Sequence, residues 1–179
     1  MITNLTIRPA TAADIPAVMR IAAEHDLSGK SPERIRREGF LVSRYEESVY
    51  QQNLHGLTVA LAGSEVAGFT LTFMRHELPP EVKDGPRIES VIGDAPYFLI
   101  KQVGVALAHQ RRKVGRALYE HLLSGLTIPA FAPIVISPDH VNICSTAFHE
   151  KLGFTQVESL NDAHGQPISG LWCRPAPQA

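Results

Sequence analysis

The most constraining feature of this sequence is a place where an apolar run, a basic turn and an amphipathic pattern follow one another. Residues 98–105 form the apolar run, whose composition predicts a buried strand. Beyond the turn, apolar residues recur at helical spacing, at Val114, Ala117, Leu118 and Leu122. Residues 110–115 therefore lie at a predicted helix N-terminus. Its first N–H groups lack intrahelical partners and its dipole is positive, so a phosphate group is a natural occupant.

The turn concentrates positive charge, with cations at Arg111, Arg112, Lys113 and Arg116. The whole chain is balanced, with 17 basic and 18 acidic residues, so no global field favours nucleic acid or an anionic membrane. The phosphates of a cofactor explain this local cluster better than DNA does. We therefore expect no nucleic-acid partner.

The turn resembles the signature of the GNAT superfamily of N-acetyltransferases, which is Gln/Arg-x-x-Gly-x-Gly/Ala between the fourth strand and the next helix. Two registers fit. The register 110–115 continues as Gly115-Arg-Ala-Leu118, as the family often does, but places Lys113 where the first glycine stands. The register 112–117 matches every position of the signature, but the residues after it then no longer match the family's usual continuation. We prefer the first, because backbone N–H groups form such a site and a lysine is tolerable where its φ and ψ are permitted.

A second stretch, residues 142–154, is similar to the family's Asn-x-x-Ala-x-x-x-Tyr-x-x-x-Gly-Phe, with two departures. Ser145 replaces the alanine, and His149 stands where the family commonly has a tyrosine. The opening, residues 5–18, also resembles the family's first strand and helix. The three anchors follow the family's order along most of the chain.

The resemblance implies a mixed α/β fold with a central, mostly antiparallel sheet that is flanked by helices and splayed between strands four and five. It implies an acetyl-CoA-dependent N-acetyltransferase that acts on a primary amine of a small molecule or peptide. The alternative is a non-catalytic acyl-CoA-binding sensor or interaction module on the same fold. The residues implied to bind acetyl-CoA are Val103, Gly104, Val105, Gln110, Arg111, Arg112, Lys113, Val114, Gly115, Arg116, Ala117 and Asn142.

Three of the candidate site residues can have a structural role instead of, or beside, a functional one. Gly104 inside a strand is typical of a bulge or a close backbone approach, but also of plain packing. Asn142 can bind the arm of the cofactor, cap a helix, or do both. His149 is the candidate catalytic residue, because the matching tyrosine is taken to protonate the departing thiolate. An unperturbed histidine is about a quarter protonated at about pH 7, but His149 can equally be a half-exposed residue without a chemical task.

The base that deprotonates the acceptor amine is not determined by the sequence. His76, Glu77 and Glu89 are candidates by position only. Tyr97 and Lys101 are placed to line an acceptor pocket.

Periodicity and breakers predict the remaining elements. A strand 5–8 leads to a helix capped by Asp14 rather than Thr11, because Pro16 then lies in the first turn. The interruption 75–96 carries proline and glycine breakers, and its length favours an acceptor-binding segment or a mobile loop. The other predicted elements are a helical stretch 26–56 starting at Ser28 or Ser31, a hairpin 57–61 and 66–73, a strand 134–137, a helix 142–152 and a hairpin 154–159 and 167–173.

The chain's 179 residues and 44% hydrophobic content suit a single domain, 1–179, with residues 175–179 as a flexible tail. Cys144 and Cys173 have neither metal nor disulfide spacing, so we expect no metal and a reducing, cytoplasmic location. No apolar run approaches the ~20 residues of a membrane span, and no basic leader precedes an apolar core. We therefore expect no membrane partner, and a homodimer is possible.

Overall fold

The computed structural model describes residues 5–27, 30–42, 45–137 and 140–177, which form an eight-stranded sheet flanked by helices. The strands are β1 Leu5–Pro9, β2 Leu57–Ala62, β3 Glu65–Met74, β4 Phe98–Val105, β5 Ala130–Ser137, β6 His140–Val141, β7 Thr155–Asn161 and β8 Pro167–Arg174. The helices are α1 Ile15–Glu24, α2 Pro32–Glu38, α3 Glu47–Gln52, α4 Gly85–Ile92, α5 Val114–Leu123 and α6 Ile143–Glu150. The sheet order is β1-β2-β3-β4-β5-β8-β7, with β6 paired to β5. The predicted mixed α/β fold with a mostly antiparallel sheet is confirmed.

The chain divides into two compact units, and β3 and β4 each continue from one unit into the other. The first unit falls within residues 1–28, 41–72 and 102–125, and the second within 29–40, 73–101 and 126–179. The first therefore contains β1, β2, α1, α3 and α5, and the second contains β5 to β8, α2, α4 and α6.

In the first unit, two antiparallel pairings build the sheet. β1 pairs with β2 along its whole length, and β2 pairs with β3 as the predicted hairpin. Helix α5 packs on β1 and β2 because its apolar face meets theirs, with Val114 and Leu118 buried in one cluster with Ala60 and Ala67. Complete burial of a valine or leucine side chain contributes about 1.5 to 3 kcal/mol, so this packing holds the start of α5 in place.

Helix α1 begins directly after Asp14, the residue predicted as its N-cap, but the side chain of Asp14 makes no capping bond to α1. Asp14 occupies the N-cap position and Pro16 lies in the first turn, where a missing N–H has no cost. Thr11 opens a 3-10 turn, Ala12–Asp14, directly before the helix. The carboxylate of Asp14 accepts hydrogen bonds from the Thr11 N–H at 2.7 Å and from the Arg8 guanidinium at 2.7 and 2.9 Å.

In the second unit, β4 and β5 pair in parallel at Phe98 with Ala130 and at Leu99 with Phe131, so the pairing covers the first two residues of β4. β8 pairs antiparallel with both β5 and β7, which confirms the terminal hairpin. α2 contacts α6 and β6, and α4 contacts β7. The indole of Trp172, on β8, is buried.

The prediction of one helical stretch over 26–56 is wrong, because α2 and α3 are separate helices. Gly39 ends α2 with a φ of +71°, a left-handed angle that glycine adopts without the steric cost of a side chain. The start at Ser31 is confirmed, since its Oγ accepts the Arg34 N–H at 3.3 Å. The alternative start at Ser28 lies outside the described residues.

The interruption 75–96 holds more regular structure than the sequence predicts. Arg75–Glu77 form a 3-10 turn, and α4 occupies part of the segment. Pro86 lies in the first turn of α4, where its missing N–H has no cost, and Gly93 follows the last turn with a φ of +63°. The breakers therefore mark the two ends of a helix.

Candidate active site

The basic turn between β4 and α5 has an unusual backbone. β4 is followed by a 3-10 turn, Leu107–His109, and α5 begins at Val114. Between them Arg111 and Lys113 take φ angles of +60° and +67°, in the left-handed region that few residues other than glycine enter. Left-handed residues in a turn point successive N–H groups to one side and form an anion-binding concavity. The N-terminus of α5 adds the positive end of its dipole, so the turn is suited to a phosphate group.

The side chains of the turn supply charge around this backbone. Arg111, Arg112 and Lys113 are exposed, and the side chain of Lys113 makes no capping bond to α5. Arg116, in the first turn of α5, donates its Nε hydrogen to Glu120 at 2.8 Å. Three exposed cations therefore border the N–H groups, which suits an anionic ligand.

The conformation of Lys113 bears on the register of the signature. The register 110–115 assigns Lys113 to the first glycine of the signature, and its φ of +67° is an angle for which glycine is suited. The register 112–117 assigns Gly115 to that glycine, but Gly115 lies inside α5. The backbone geometry favours the register 110–115.

Gly104 on β4 is required by close packing. A Cβ atom at this position would lie 2.5 Å from the ring of Phe69 and 3.1 Å from a methyl group of Ile21. Real Cβ contacts are not that short, so any side chain would force the Phe69 ring to move. Packing alone therefore accounts for this glycine, and its part in cofactor binding stays a prediction.

Asn142 occupies the N-cap of α6 and uses both ends of its amide. Its Oδ1 accepts the Ser145 N–H at 3.2 Å, which is the capping role expected of asparagine. Its Nδ2 donates to the backbone carbonyl of Phe40 at 2.9 Å and so ties α6 to the segment that follows α2. The predicted bond to the arm of the cofactor stays a prediction.

His149 lies in the interior of the second unit and is only 2% exposed, so the half-exposed alternative is wrong. Its Nδ1 lies 2.7 Å from the Ser145 carbonyl oxygen, which can only accept, so Nδ1 carries the proton and Nε2 a lone pair. The rings of Phe148 and Phe154 meet the imidazole edge-on. Burial lowers the pKa of His149 to about 4, so the imidazole is neutral near pH 7.

The three candidates for the base have ordinary surroundings. Glu77 accepts the backbone N–H of Met74 at 2.9 Å, and Glu89 accepts a hydrogen bond from Arg75 at 3.2 Å. His76 has a side chain that is 78% exposed. Each therefore fits a structural or surface role.

The two residues predicted to line an acceptor pocket are both largely buried. The ammonium of Lys101 lies 2.6 Å from Asp84 Oδ2, so its charge is paired. Tyr97 is fully buried, burial raises the pKa of its phenol, and no described residue accepts a hydrogen bond from its hydroxyl. Access of an acceptor to these side chains stays a prediction.

Sequence reasoning missed two side chains at the approach to the turn. His25 Nε2 donates to the Val105 carbonyl at 2.7 Å, and Glu24 accepts the Leu107 N–H at 2.9 Å. Both contacts join residues about eighty positions apart, and neither histidine nor glutamate at the end of a helix is a motif. No local signal could have found them.

Among the described residues, no group of three or more histidine, cysteine, aspartate or glutamate side chains could hold a metal ion. Within the same residues, no helix has the length and apolar character to cross a membrane.

The comparison with protein families identifies the class of this protein. The acetyltransferase (GNAT) family matches residues 21–154, which include β4, the basic turn, α5 and α6. The chain belongs to the GNAT acetyltransferase family and is an N-acetyltransferase by this membership. The family that the two motifs resemble is thus confirmed. A comparison with curated proteins gives no significant match.

Solved structures of N-acetyltransferases share the fold. The ribosomal-protein-S18-alanine N-acetyltransferase of Escherichia coli superposes with a TM-score of 0.64 at 19% identity, over 98% of this chain and 96% of that one. Arabidopsis thaliana NAA60, in complex with a bisubstrate analogue, gives 0.66 at 16% identity, over 97% and 100%. The polyamine N-acetyltransferase of Drosophila melanogaster gives 0.65 at 13% identity, over 96% and 100%.

Proposed function

We propose that the chain transfers the acetyl group of acetyl-CoA to a primary amine of a small molecule or peptide. One observation carries the proposal: the turn 110–113, with left-handed residues and exposed cations, lies at the N-terminus of α5 inside the family match. The anionic pyrophosphate of acetyl-CoA fits such N–H groups and cations. The acetyl thioester would supply the carbonyl carbon that the amine attacks.

The residues proposed to hold acetyl-CoA come from three elements. The backbone of β4 would pair with the arm of the cofactor, the turn and the start of α5 would hold the pyrophosphate, and Asn142 would bind the arm. The proposed set is Val103, Gly104, Val105, Gln110, Arg111, Arg112, Lys113, Val114, Gly115, Arg116, Ala117 and Asn142.

His149 is proposed to act at the departing sulfur. An acid there would be either the imidazolium, which a pKa of about 4 makes a minor species at pH 7, or the neutral Nδ1–H, which the Ser145 carbonyl already accepts. A thiol whose own pKa is ~8.5 is a tolerable leaving group, so the reaction does not depend on an acid at this position. The neutral imidazole with its proton on Nδ1 supports the account in which His149 shapes the site without donating a proton.

The activities of the structural neighbours support the amine class. One neighbour acts on the alanine of a ribosomal protein, and another on a polyamine. A peptide N-terminus and an aliphatic amine are therefore both reasonable first acceptors for this chain. A single domain over 1–179, a flexible tail at 175–179, a cytoplasmic location and a homodimer stay predictions, and residues 178 and 179 of that tail lie outside the described residues.

Titration calorimetry with acetyl-CoA, followed by a thiol-release assay against peptides with free N-termini, polyamines and amino acids, tests the proposal. We expect binding well below millimolar concentration and release with at least one class of amine. Gly115→Val should abolish binding and Lys113→Ala should weaken it only modestly, since close backbone approach matters more than one flexible ammonium.

Absence of binding near millimolar acetyl-CoA would overturn the proposal. Binding without thiol release for any amine would instead identify the non-catalytic acyl-CoA sensor. An equal loss in Lys113→Ala and Gly115→Val would contradict the assignment of the pyrophosphate to backbone N–H groups.

A further inference from the structure

The C-terminal end of α1 reaches the backbone at the end of β4. His25, directly after α1, donates its Nε2 hydrogen to the Val105 carbonyl at 2.7 Å, and Glu24, the last residue of α1, accepts the Leu107 N–H at 2.9 Å. All four residues belong to the first unit. Two adjacent side chains at the C-terminal end of α1 therefore hold the chain where it leaves β4 and enters the turn.

Backbone hydrogen bonds fix three consecutive residues, 105–107, at this point of the chain. Between Val105 and Leu107, the N–H of Ala106 donates to the carbonyl of Ala67 on β3 at 3.0 Å. Each of the three residues thus has one bound backbone group: Val105 is bound to His25 after α1, Ala106 to β3, and Leu107 to the last residue of α1. The 3-10 turn and the basic turn follow at once, so their starting point is set by these bonds.

Burial of His25 and a second hydrogen bond of Glu24 restrict the conformations of these two side chains. His25 is 5% exposed, so loss of its donor would leave the Val105 carbonyl facing an apolar substitute. Glu24 also accepts a hydrogen bond from Arg20 at 2.9 Å, which balances its charge. The role of Glu24 at Leu107 therefore depends on a carboxylate or amide oxygen rather than on net charge.

We propose that His25 and Glu24 are positioning residues for acetyl-CoA, because they set where the N–H groups of the basic turn and the end of β4 lie. The inference rests on the proposed function. Hydrogen-bond donors act on a ligand only when they are held near the productive geometry, and a displacement of about 1 Å weakens them strongly. Neither side chain needs to touch the cofactor.

Paired variants separate the hydrogen bond from the volume of each side chain. His25→Gln keeps an N–H donor at the reach of Nε2, and His25→Phe keeps the ring without the donor. Glu24→Gln keeps an oxygen acceptor, and Glu24→Leu removes it. Thr72→Val is the matched control, since it removes another buried bond of the first unit, from Thr72 Oγ1 to the Gly56 carbonyl at 3.0 Å.

Two measurements are made on each purified full-length variant. Calorimetric titration with coenzyme A gives the dissociation constant. Hydrogen–deuterium exchange of the peptide covering residues 105–117, in the absence of ligand, reports whether this backbone is held. The exchange measurement does not depend on any activity, so it tests the positioning even if the proposed function fails.

We expect His25→Phe and Glu24→Leu to weaken coenzyme A binding at least about tenfold, since a partly buried backbone group that loses its hydrogen-bond partner shifts the local backbone. Both should accelerate exchange over residues 105–117. His25→Gln and Glu24→Gln should stay within about threefold of the wild type. Thr72→Val should leave both quantities unchanged.

Wild-type affinity and exchange in His25→Phe would overturn the inference, as would an equal loss in Thr72→Val. Should His25→Phe fail to fold, the Glu24 pair decides, because this side chain is partly exposed and Glu24→Leu leaves the core intact. Failure of the wild type itself to bind coenzyme A would overturn the proposed function and, with it, the role toward acetyl-CoA, and the exchange measurement would still decide whether His25 and Glu24 hold the backbone of residues 105–117.

Discussion

Lys113 holds a backbone conformation that is unfavourable for lysine. Its φ of +67° brings Cβ close to the following carbonyl, which costs about 1 to 2 kcal/mol for a residue with a side chain. Glycine at the same position avoids that clash, but its greater loss of conformational entropy on folding costs about 0.5 to 1 kcal/mol. The left-handed angle persists because the core around Val114 anchors the start of α5.

We therefore expect Lys113→Gly to raise the free energy of unfolding by about 0.5 to 1 kcal/mol. Urea denaturation at neutral pH measures the change. Lys113→Ala is the control, because it removes the ammonium but keeps the strain, and it should be close to the wild type. A destabilised Lys113→Gly variant would show that the ammonium or the turn's stiffness contributes more than the strain costs.

His149 offers a test of acid catalysis by substitution. If it protonates the departing thiolate, His149→Ala should lower turnover by ~10²-fold or more with little change in acetyl-CoA affinity, and His149→Tyr should restore much of the rate. If it only fills space, the loss should stay under about tenfold and the size-matched His149→Gln should have a comparable rate. The low pKa and the bond to Ser145 favour the second result.

Steady-state kinetics with an acceptor found in the amine panel, and separate titrations of cofactor affinity, decide between the two accounts. Turnover of His149→Ala at the wild-type level would end the acid proposal.

At the scale of elements, the start of α1 concentrates hydrogen bonds on one carboxylate. The hydrogen bonds from Arg8, with those from Thr11, lower the pKa of Asp14 to about 2. The folded pKa lies below the unfolded value of about 3.9, so the contribution to stability is complete above about pH 4. It is lost as the pH falls toward 2, because the unfolded chain then binds the proton more readily.

Asp14→Asn is accordingly expected to lower the free energy of unfolding at pH 7 by about 1 to 2 kcal/mol. The difference from the wild type should shrink as the pH is lowered through 4 toward 2, as measured by urea denaturation at several pH values. Glu120→Gln, on the exposed face of α5, should change stability by less than about 0.5 kcal/mol. A deficit in Asp14→Asn that is independent of pH would assign the loss to geometry instead of charge.

Elements with a strong local pattern were predictable from the sequence. The hairpin of β2 and β3, the strand β4 and helix α5 each combine an apolar pattern with clear boundaries, and all are observed. The separation of α2 from α3 does not follow from the periodicity of residues 26–56, because the end of α2 depends on the left-handed φ of Gly39. Helix α4 is hidden for the opposite reason, since Pro86 and Gly93 have the pattern of breakers but suit the two ends of a helix.

At the scale of the whole molecule, the family was readable from two short motifs, because their residues are neighbours along the chain. The positioning contacts of His25 and Glu24 were not, since they exist only after distant segments have packed. The state of His149 also needed the structure, because burial and the Ser145 carbonyl decide its protonation. Local sequence thus indicates the chemistry, and the three-dimensional packing sets its geometry.

Trp172 is the single tryptophan of the chain, and it lies buried in the second unit. Indole emission therefore reports the second unit alone, whereas far-ultraviolet circular dichroism reports the helices and strands of both. We expect the urea transitions of the two signals to coincide, because β3 and β4 continue through both units and lose part of their length if either unfolds.

A dichroism curve with two steps, only one of them followed by the emission, would instead show two independently unfolding parts. Trp172→Phe combined with Tyr45→Trp moves the fluorophore into the first unit, and in that variant the emission and dichroism midpoints should again coincide, at whatever stability the smaller core residue leaves. The buried indole of β8 thereby lets the unmodified protein report optically whether its two units unfold in one transition or in two.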